Sequence, residues 1–517
     1  MDKYILLLIL PPVIYLFAPM LHRRGPRRTM LTAVHATLLT YLTLFSLNRS
    51  PLIFSDELSV LQFIHAAKEK GHAWKGWFYD DAFIADNFLL IDTSFDPMLV
   101  PYAEGDQEDS TMVRITNRKK LADLLGFLDQ ESDKIDLVVC DILFQETTSY
   151  DTTLREMLDR FVSKDKLVVA HNGLGELNPT LQLPEEVLGR ATEELHGDIL
   201  FSHTIHENNL SSLPYLMYRK TNNIQVVNLY PSNLLSYETN GNGDYGLFLN
   251  TFIPNLHFSD ETRLLGNAPT GASDTWLRLV MNDLLGTPAS TGRKKRQLQA
   301  ETKPFLYNLG YVVTETGRME LAANLRQGRN NKRKIVFIGA FQDAETDVHH
   351  TAFGPLHGSV ILLNIFYELQ QGRHRVSMLY VLMLFAGFWL TTWLLIRRAN
   401  RNHPVPGQPM EKGRLAKLFK PWRGLLRFLN SKFILPLKKG MMRPIIDFCG
   451  FFFGFIFNEE RHVWLLLLLV IVADLYFGHF INIMGLAIYL VVFDALLQFF
   501  MKRQALKTNV QLPGATA

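Results

Sequence analysis

The side chains best suited to meet a ligand stand at the ends of three short apolar runs. NFLLIDTSFDP carries Asp92 where its apolar run stops and Asp96 four residues on. KIDLVVCDILFQETTSYD carries Asp141 at the same place, followed by Glu146 and Asp151. KIVFIGAFQDAETDVHHT carries Asp343, Asp347, His349 and His350. Carboxylates with an imidazole can coordinate a divalent cation or hydrogen-bond a polar ligand. Taken singly, an aspartate at a strand end more often caps the next helix or ties a turn. Three at equivalent places make a shared site as good a reading as three separate turns. Asp92, Asp96, Asp141, Asp343, Asp347 and His349 are therefore the candidate ligand-binding set, with any metal left open. His349 and His350 are neighbours that point apart in an extended segment, so one at most takes part. His203 and His206, in FSHTIHE, have a spacing that suits a metal only on a helix, and a third ligand is missing.

Motifs of catalysis are absent: the chain has no Gly-x-Ser-x-Gly elbow, phosphate loop, paired CxxC or HExxH. Gly339 after KIVFI lacks the further glycines of a dinucleotide fingerprint. GRKKRQ, residues 292–297, reads as a solvated loop or a lipid contact, and no aromatic-basic module supports nucleic-acid binding. The expectation is a protein without catalytic residues or cofactor, with an extracytoplasmic hydrolase using the strand-end acids as the weakest alternative. Two cysteines, Cys140 and Cys449, make no disulfide framework.

The elements that must carry the acids have a regular grammar. Continuous Leu/Val/Ile runs alternating with helical patterns predict an α/β domain with a largely parallel (mixed) sheet buried on both faces. TNRKKLADLLGFLDQ opens with an N-cap candidate at Thr116 and repeats apolar residues at helical spacing; SYDTTLREMLDRFV does the same after Asp151. LVVAHN, GDILFSH and NNIQVVNL supply further strands, and YETNGNGDYG, residues 237–246, reads as a turn-rich loop. In open parallel sheets ligands bind beyond the carboxyl ends of the strands, and that is where Asp92, Asp141 and the 343–350 loop are expected.

The remaining apolar residues predict a membrane anchor. Of the 517 residues 48% are hydrophobic, and net charge is only +3, but basic residues crowd beside the apolar runs. Residues 1–48 hold two candidate spans, Tyr4–Leu21 and Thr29–Asn48, joined by an arginine-rich turn, HRRGPRR, expected in the cytoplasm. Residues 49–373 contain no spanning run and are expected outside. A span is expected within 374–398, and a basic cytoplasmic stretch over 399–461 whose KLFKPWRGLLRFL and FILPLKKGMM segments lie on membrane lipid. Residues 397–443 carry thirteen Lys and Arg against one acid, Glu411. The run Pro444–Phe457 is too short to span and reads as re-entrant or interfacial. Two closing spans, His462–Phe480 and Ile481–Phe500 (462–501), carry Asp474 and Asp494, and 502–517 form a short inside tail.

With the runs in this order the sequence resembles the second type of CHASE sensor domain. NFLLIDTSFD, ITNRKKLADLL, IDLVVCDILFQE, KLVVAHN and RKIVFIGAFQDAETDVHHT…HGSVILLNIFYELQQG carry the resemblance over about Asn48 to Arg373. It implies an extracellular sensory domain of the kind found in bacterial cyclases, histidine kinases and related receptors, followed by about three membrane helices. KIVFIG, the acidic turn, Thr351, Gly358 and Asn364 fall where the family carries its last strand, turn and helix. Thr351-Ala352 replaces the family's usual Thr-Pro, and Leu362-Leu363 its usual His-Ala. The chain runs about 17 residues past its last expected span, so no intrinsic output domain is expected. The resulting expectation is a bacterial inner-membrane, multi-pass sensor with its large domain in the periplasm. It would bind an extracytoplasmic ligand or protein and relay to a separate membrane or cytoplasmic effector, and it could form a homo-oligomer. The alternative is a structural or accessory subunit of a cell-envelope or transport complex.

Overall fold

The computed structural model describes residues 26–47, 86–101, 112–172, 178–191, 194–196, 200–207, 210–228, 235–240, 245–252, 306–326, 333–341, 348–351, 354–402 and 461–510. Asp343 and Asp347, the first apolar run Tyr4–Leu21, GRKKRQ, the basic segment beyond residue 402 and the run Pro444–Phe457 lie outside the described residues. The chain divides into two compact units. One comprises Met1–Leu52, Met378–Ala473 and Ile481–Ala517; the other comprises Ile53–Ser377 with Asp474–Phe480.

In the first unit, helix α1 (Pro26–Leu42) widens into a π-turn over Thr43–Leu47. Within that same unit its partners come from the far end of the chain and are described after the α/β unit.

The α/β unit is built on six short strands, all parallel. Strand β1 (Phe88–Asp92) leads through an antiparallel hairpin, β2 (Pro97–Pro101) and β3 (Met112–Thr116), into helix α2 (Arg118–Gln130). Strand β4 (Ile135–Cys140), helix α3 (Asp151–Ser163), β5 (Leu167–His171) and β6 (Leu188–Arg190) follow. Next come short strands β7 (Glu194–His196), β8 (Leu200–Thr204), β9 (His206–Glu207) and β10 (Leu210–Ser211), then helix α4 (Leu213–Asn222). Strands β11 (Ile224–Asn228), β12 (Leu235–Asn240) and β13 (Tyr245–Leu249) form an antiparallel sheet of three, and β14 (Thr251–Phe252) pairs with β8. Strand β15 (Leu306–Asn308), helices α5 (Leu309–Val312) and α6 (Glu315–Arg326), and β16 (Lys334–Gly339) return the chain to the main sheet. A last hairpin, β17 (Val348–Thr351) and β18 (Gly354–His357), opens helix α7 (Gly358–Gln370).

The sheet order is β15-β1-β16-β4-β5-β6, every pairing parallel. The three runs that looked alike in sequence thus lie side by side at its centre. Strands β1 and β16 are buried at every position, which explains their continuous apolar reading: side chains of both parities meet a packed layer. Leu89, Ile91, Val138 and Ile338 pack with α2 and α3, whereas Phe88, Leu90, Val139 and Phe337 pack with α4 and α7. Antiparallel pairing is confined to the small sheets.

Two local expectations shift. The N-cap of α2 is Asn117, not Thr116: Thr116 ends β3, and the Asn117 side chain accepts from Lys120 N at 3.1 Å. Of the stretch 237–246, residues 237–240 belong to β12 and 245–246 to β13, and 241–244 lie outside the described residues.

In the first unit, α8 (Met378–Asn402) packs against α1, α9 (Arg461–Val472) and α10 (Ile483–Val510). Among the described residues, 378–400 and 485–503 are long and apolar enough to cross a membrane, and 30–45 is a shorter apolar helix. His35 is fully buried, with Nδ1 2.8 Å from Thr392 Oγ1, Nε2 3.0 Å from Tyr489 OH and its ring stacked 4.2 Å from Phe493. Asp494 accepts from Gln498 and lies 3.8 Å from Arg398. Helix α9 ends in a π-turn at Ala473–Phe477, and Asp474–Phe480 belong with the α/β unit.

Candidate functional site

Because β16 lies between β1 and β4, the carboxyl ends of all three strands meet. Asp92 is in register with Gly339, and Asp141 N donates to Ile338 O at 2.8 Å. Helix α7 starts here: Ser359 Oγ donates to Asp141 Oδ2 at 2.6 Å. A Cβ on Gly339 would stand 2.5 Å from Ser359 Oγ and 3.2 Å from Asp141 Cβ. Glycine is thus what lets the first turn of α7 sit down on the end of β16. The carboxyl edge of the sheet and the first turn of α7 are one contact.

The other candidate residues divide. Asp92 Oδ1 accepts from Ser94 N (3.1 Å), Ser94 Oγ (2.6 Å) and Phe341 N (3.1 Å), so it ties its own turn to the end of β16. Asp96 pairs with Lys120 and accepts from Gly310 N at 2.6 Å, joining α2 to α5. Both do the turn-tying work that a strand-end aspartate commonly does. His349 sits on β17 opposite Leu356, and His350 opposite Pro355. His203 and His206 are on strands, not a helix, and turn to separate serines: His203 Nε2 lies 2.8 Å from Ser212 Oγ and His206 Nδ1 3.2 Å from Ser211 Oγ. Burial drops their pKa values to about 3 and about 4, so both are neutral at pH 7. Among the described residues no three His, Cys, Asp or Glu side chains are grouped to hold a metal ion. Leu362 and Leu363, the departures on α7, are 2% and 3% exposed and pack in the core, while Asn364 Nδ2 returns to Val360 O at 2.9 Å.

The far end of α7 holds a second polar cluster that sequence reading missed. The helix stops at a left-handed Gly372 (φ +69°), and Arg373 then pairs with Glu368 at 3.0 Å. Glu238 on β12 is fully buried. It accepts from Tyr215 OH and Tyr218 OH, both at 3.3 Å, from His374 Nε2 at 3.1 Å and from Arg375 Nε. Arg375 Nη2 also donates to Tyr218 OH at 2.9 Å. Val376 N donates to Leu247 O at 2.8 Å, and Arg375 bridges to Phe248, so the segment extends the edge of β13. His479 Nε2 donates to Arg375 O at 3.0 Å, bringing the 474–480 segment onto the same spot.

The electrostatics favour one protonation state. Burial alone would raise the Glu238 carboxyl, but hydrogen bonds from His374 and Arg375 and the charge of Arg375 hold it below its ordinary value. Burial lowers His374, against the pull of Glu238, so His374 is neutral with Nε2–H donating. Its Nδ1 is enclosed without a partner, as a lone pair in a ring wrapped by Tyr218 and Phe248 must be. Burial and the neighbouring carboxylate push both tyrosines up, keeping them donors. Glu238 sits where the sequence shows only a turn-rich stretch; its one signal is that it shares a strand parity with buried Ser236.

Helix α7 thus begins at the carboxyl edge of a parallel α/β sheet and ends in a polar clasp a few residues before the apolar helix α8. A model of the CHASE2 domain matches residues 60–398, well over half of the chain, and the protein belongs to that sensory-domain family. No curated protein and no solved structure matches it.

Proposed function

We propose that the protein is a membrane-anchored, non-enzymatic sensor. Its α/β domain lies outside the cytoplasm, and it relays through its apolar helices to a separate membrane or cytoplasmic effector. The observation that carries this reading is the path of α7. Its first turn is hydrogen-bonded to Asp141 at the sheet edge, and its last leads within a few residues into the Glu238 clasp. Helix α8 begins immediately after, at Met378. A ligand that binds one arrangement of the edge better than another shifts the arrangement of the clasp by that difference in affinity. The positive-inside bias of residues 397–443 supports the orientation. The same basic stretch offers a surface for anionic lipid or the effector.

The test uses full-length protein in lipid nanodiscs and hydrogen exchange at Val376. Ser359→Ala removes the contact at the edge, about 17 Å along the helix from Gln370 at 1.5 Å per residue. Relay requires that Val376 exchange changes in this variant. Exchange altered only around Asp141 and Ser359 refutes it.

A further inference from the structure

Arg118, the first residue of α2, is 1% exposed although it carries a full charge. Its guanidinium carbon lies 4.3 Å above the ring of Phe144, in the loop after β4. Stacking occupies the face of the guanidinium and leaves its N–H donors, which lie in its plane, to find acceptors elsewhere. Nε on one edge and Nη1 on another are enclosed and have no hydrogen-bond partner among the described residues.

Asp151 and Glu146 act on its charge from nearby, and neither accepts from Nε or Nη1. Asp151 accepts from Thr148 N (2.6 Å), Thr148 Oγ1 (2.8 Å) and Asn178 Nδ2 (2.5 Å). Asp96 is held by Lys120 and Gly310, and Asp141 by Ser359. Burial lowers the Arg118 pKa to about 10, countered in part by Asp151, Cys140 and Glu146, so the group stays charged at pH 7. A buried cation whose donors face no acceptor is costly, and native proteins rarely leave one so. The place is also specific. Arg118 opens a 13-residue helix, whose N-terminal dipole favours negative charge, and it lies among loops that follow β1 and β4.

We propose that Arg118 anchors a binding site for a small oxyanion, a carboxylate or phosphate group, at the carboxyl edge of the sheet. A planar or tetrahedral oxyanion offers the paired oxygens that a guanidinium edge matches, and it would give the enclosed donors the acceptors they lack. The enclosure of Nε and Nη1 restricts the entering group to a small head. The proposal deepens the sensor reading, on which it rests, by naming the chemical class of the ligand.

The experiment follows thermal unfolding of the full-length protein in phosphatidylcholine nanodiscs. Acetate and inorganic phosphate are titrated at constant ionic strength set with chloride. Wild type is expected to gain about 5 °C in at least one anion at a hundredfold excess over Kd. Arg118→Met should show no gain and, without anion, should unfold no lower than wild type, since it removes an unpaired buried charge. Three results overturn the site: no shift in wild type with either anion, an equal shift in Arg118→Met, or an Arg118→Met protein that is markedly less stable without anion. Arg118→Lys is read beside it: the charge remains but the fork is lost, and affinity should fall at least about tenfold. Unchanged affinity overturns the proposal. Val376 exchange on the same samples separates the two ideas. Anion stabilisation that depends on Arg118 but leaves Val376 unmoved keeps the site and refutes relay. A Val376 response to anion that persists in Arg118→Met keeps relay and refutes the site.

Discussion

Replacing Glu238 with glutamine is the most direct probe of the clasp. The change keeps the shape of the side chain and removes the charge that four donors converge on. Hydrogen bonds to a charged group contribute about 1.5–3 kcal/mol each, and an amide retains part of that. Arg375 is 32% exposed and can turn its head toward water, which discounts its share. The enclosed His374 N–H and the two tyrosine hydroxyls have no such escape. A loss of about 2 kcal/mol at the clasp is the result, and Glu238→Ala should roughly double it by leaving the donors unpaired. The assay is native-state hydrogen exchange in the full-length protein, read at Val376, whose amide is held by Leu247 O. Two kcal/mol of local opening corresponds to exchange faster by about thirtyfold. The amides of β16, at the sheet centre, should keep their protection in the glutamine variant. Val376 exchange unchanged in both variants would refute the claim that Glu238 holds the segment in place.

Gly339→Ala should destabilise the α/β unit by about 1–3 kcal/mol, because the new methyl displaces Ser359 Oγ from Asp141. In a Ser359→Ala background the same change should cost clearly less, and strict additivity in that cycle refutes the contact. Acidification should weaken the domain. The folded pKa of His203, about 3, lies below the unfolded value of 6.5, so its contribution is complete above pH 6.5 and erodes as pH falls. At pH 5 the loss from His203 is about 2 kcal/mol. His374 acts in the same direction, and Glu238 adds its share below its ordinary carboxyl range. A urea midpoint that holds steady from pH 7 to pH 5 contradicts this. His35→Phe keeps the stack on Phe493 but strands Thr392 and Tyr489. At about 0.6 kcal/mol per hydrogen bond between apolar helices, unfolding of the helical unit should shift by about 1 kcal/mol. A shift above about 3 kcal/mol would give His35 a role beyond packing.

The central strands were legible because both faces of each are buried. NFLLID, KIDLVVC and KIVFIG have no polar face to interrupt the apolar run, and their shared grammar reflects their place side by side. Family membership was legible from the same segments. The N-cap of α2 was misplaced by one residue, since Thr116 and Asn117 are both acceptable caps and only the β2–β3 pairing decides which of them is still strand. The acids at the strand ends were found, but their partners were not. Asp96 meets Gly310, 214 residues away, and Asp141 meets Ser359, 218 residues away.

By itself the sequence determined the parallel α/β class, the strand ends where polar side chains gather and the apolar helix after Ser377. These follow from local periodicity, which each segment carries within itself. Only the tertiary structure decided which charges are buried and which donors are satisfied. Glu238 looks like a loop acid until His374 and Arg375, more than 130 residues on, close over it. Arg118 looks like an ordinary helix-start arginine until Phe144 covers it and Asp151 bonds elsewhere. Desolvation and hydrogen-bond pairing belong to the assembled fold, and no residue's neighbours along the chain reveal them.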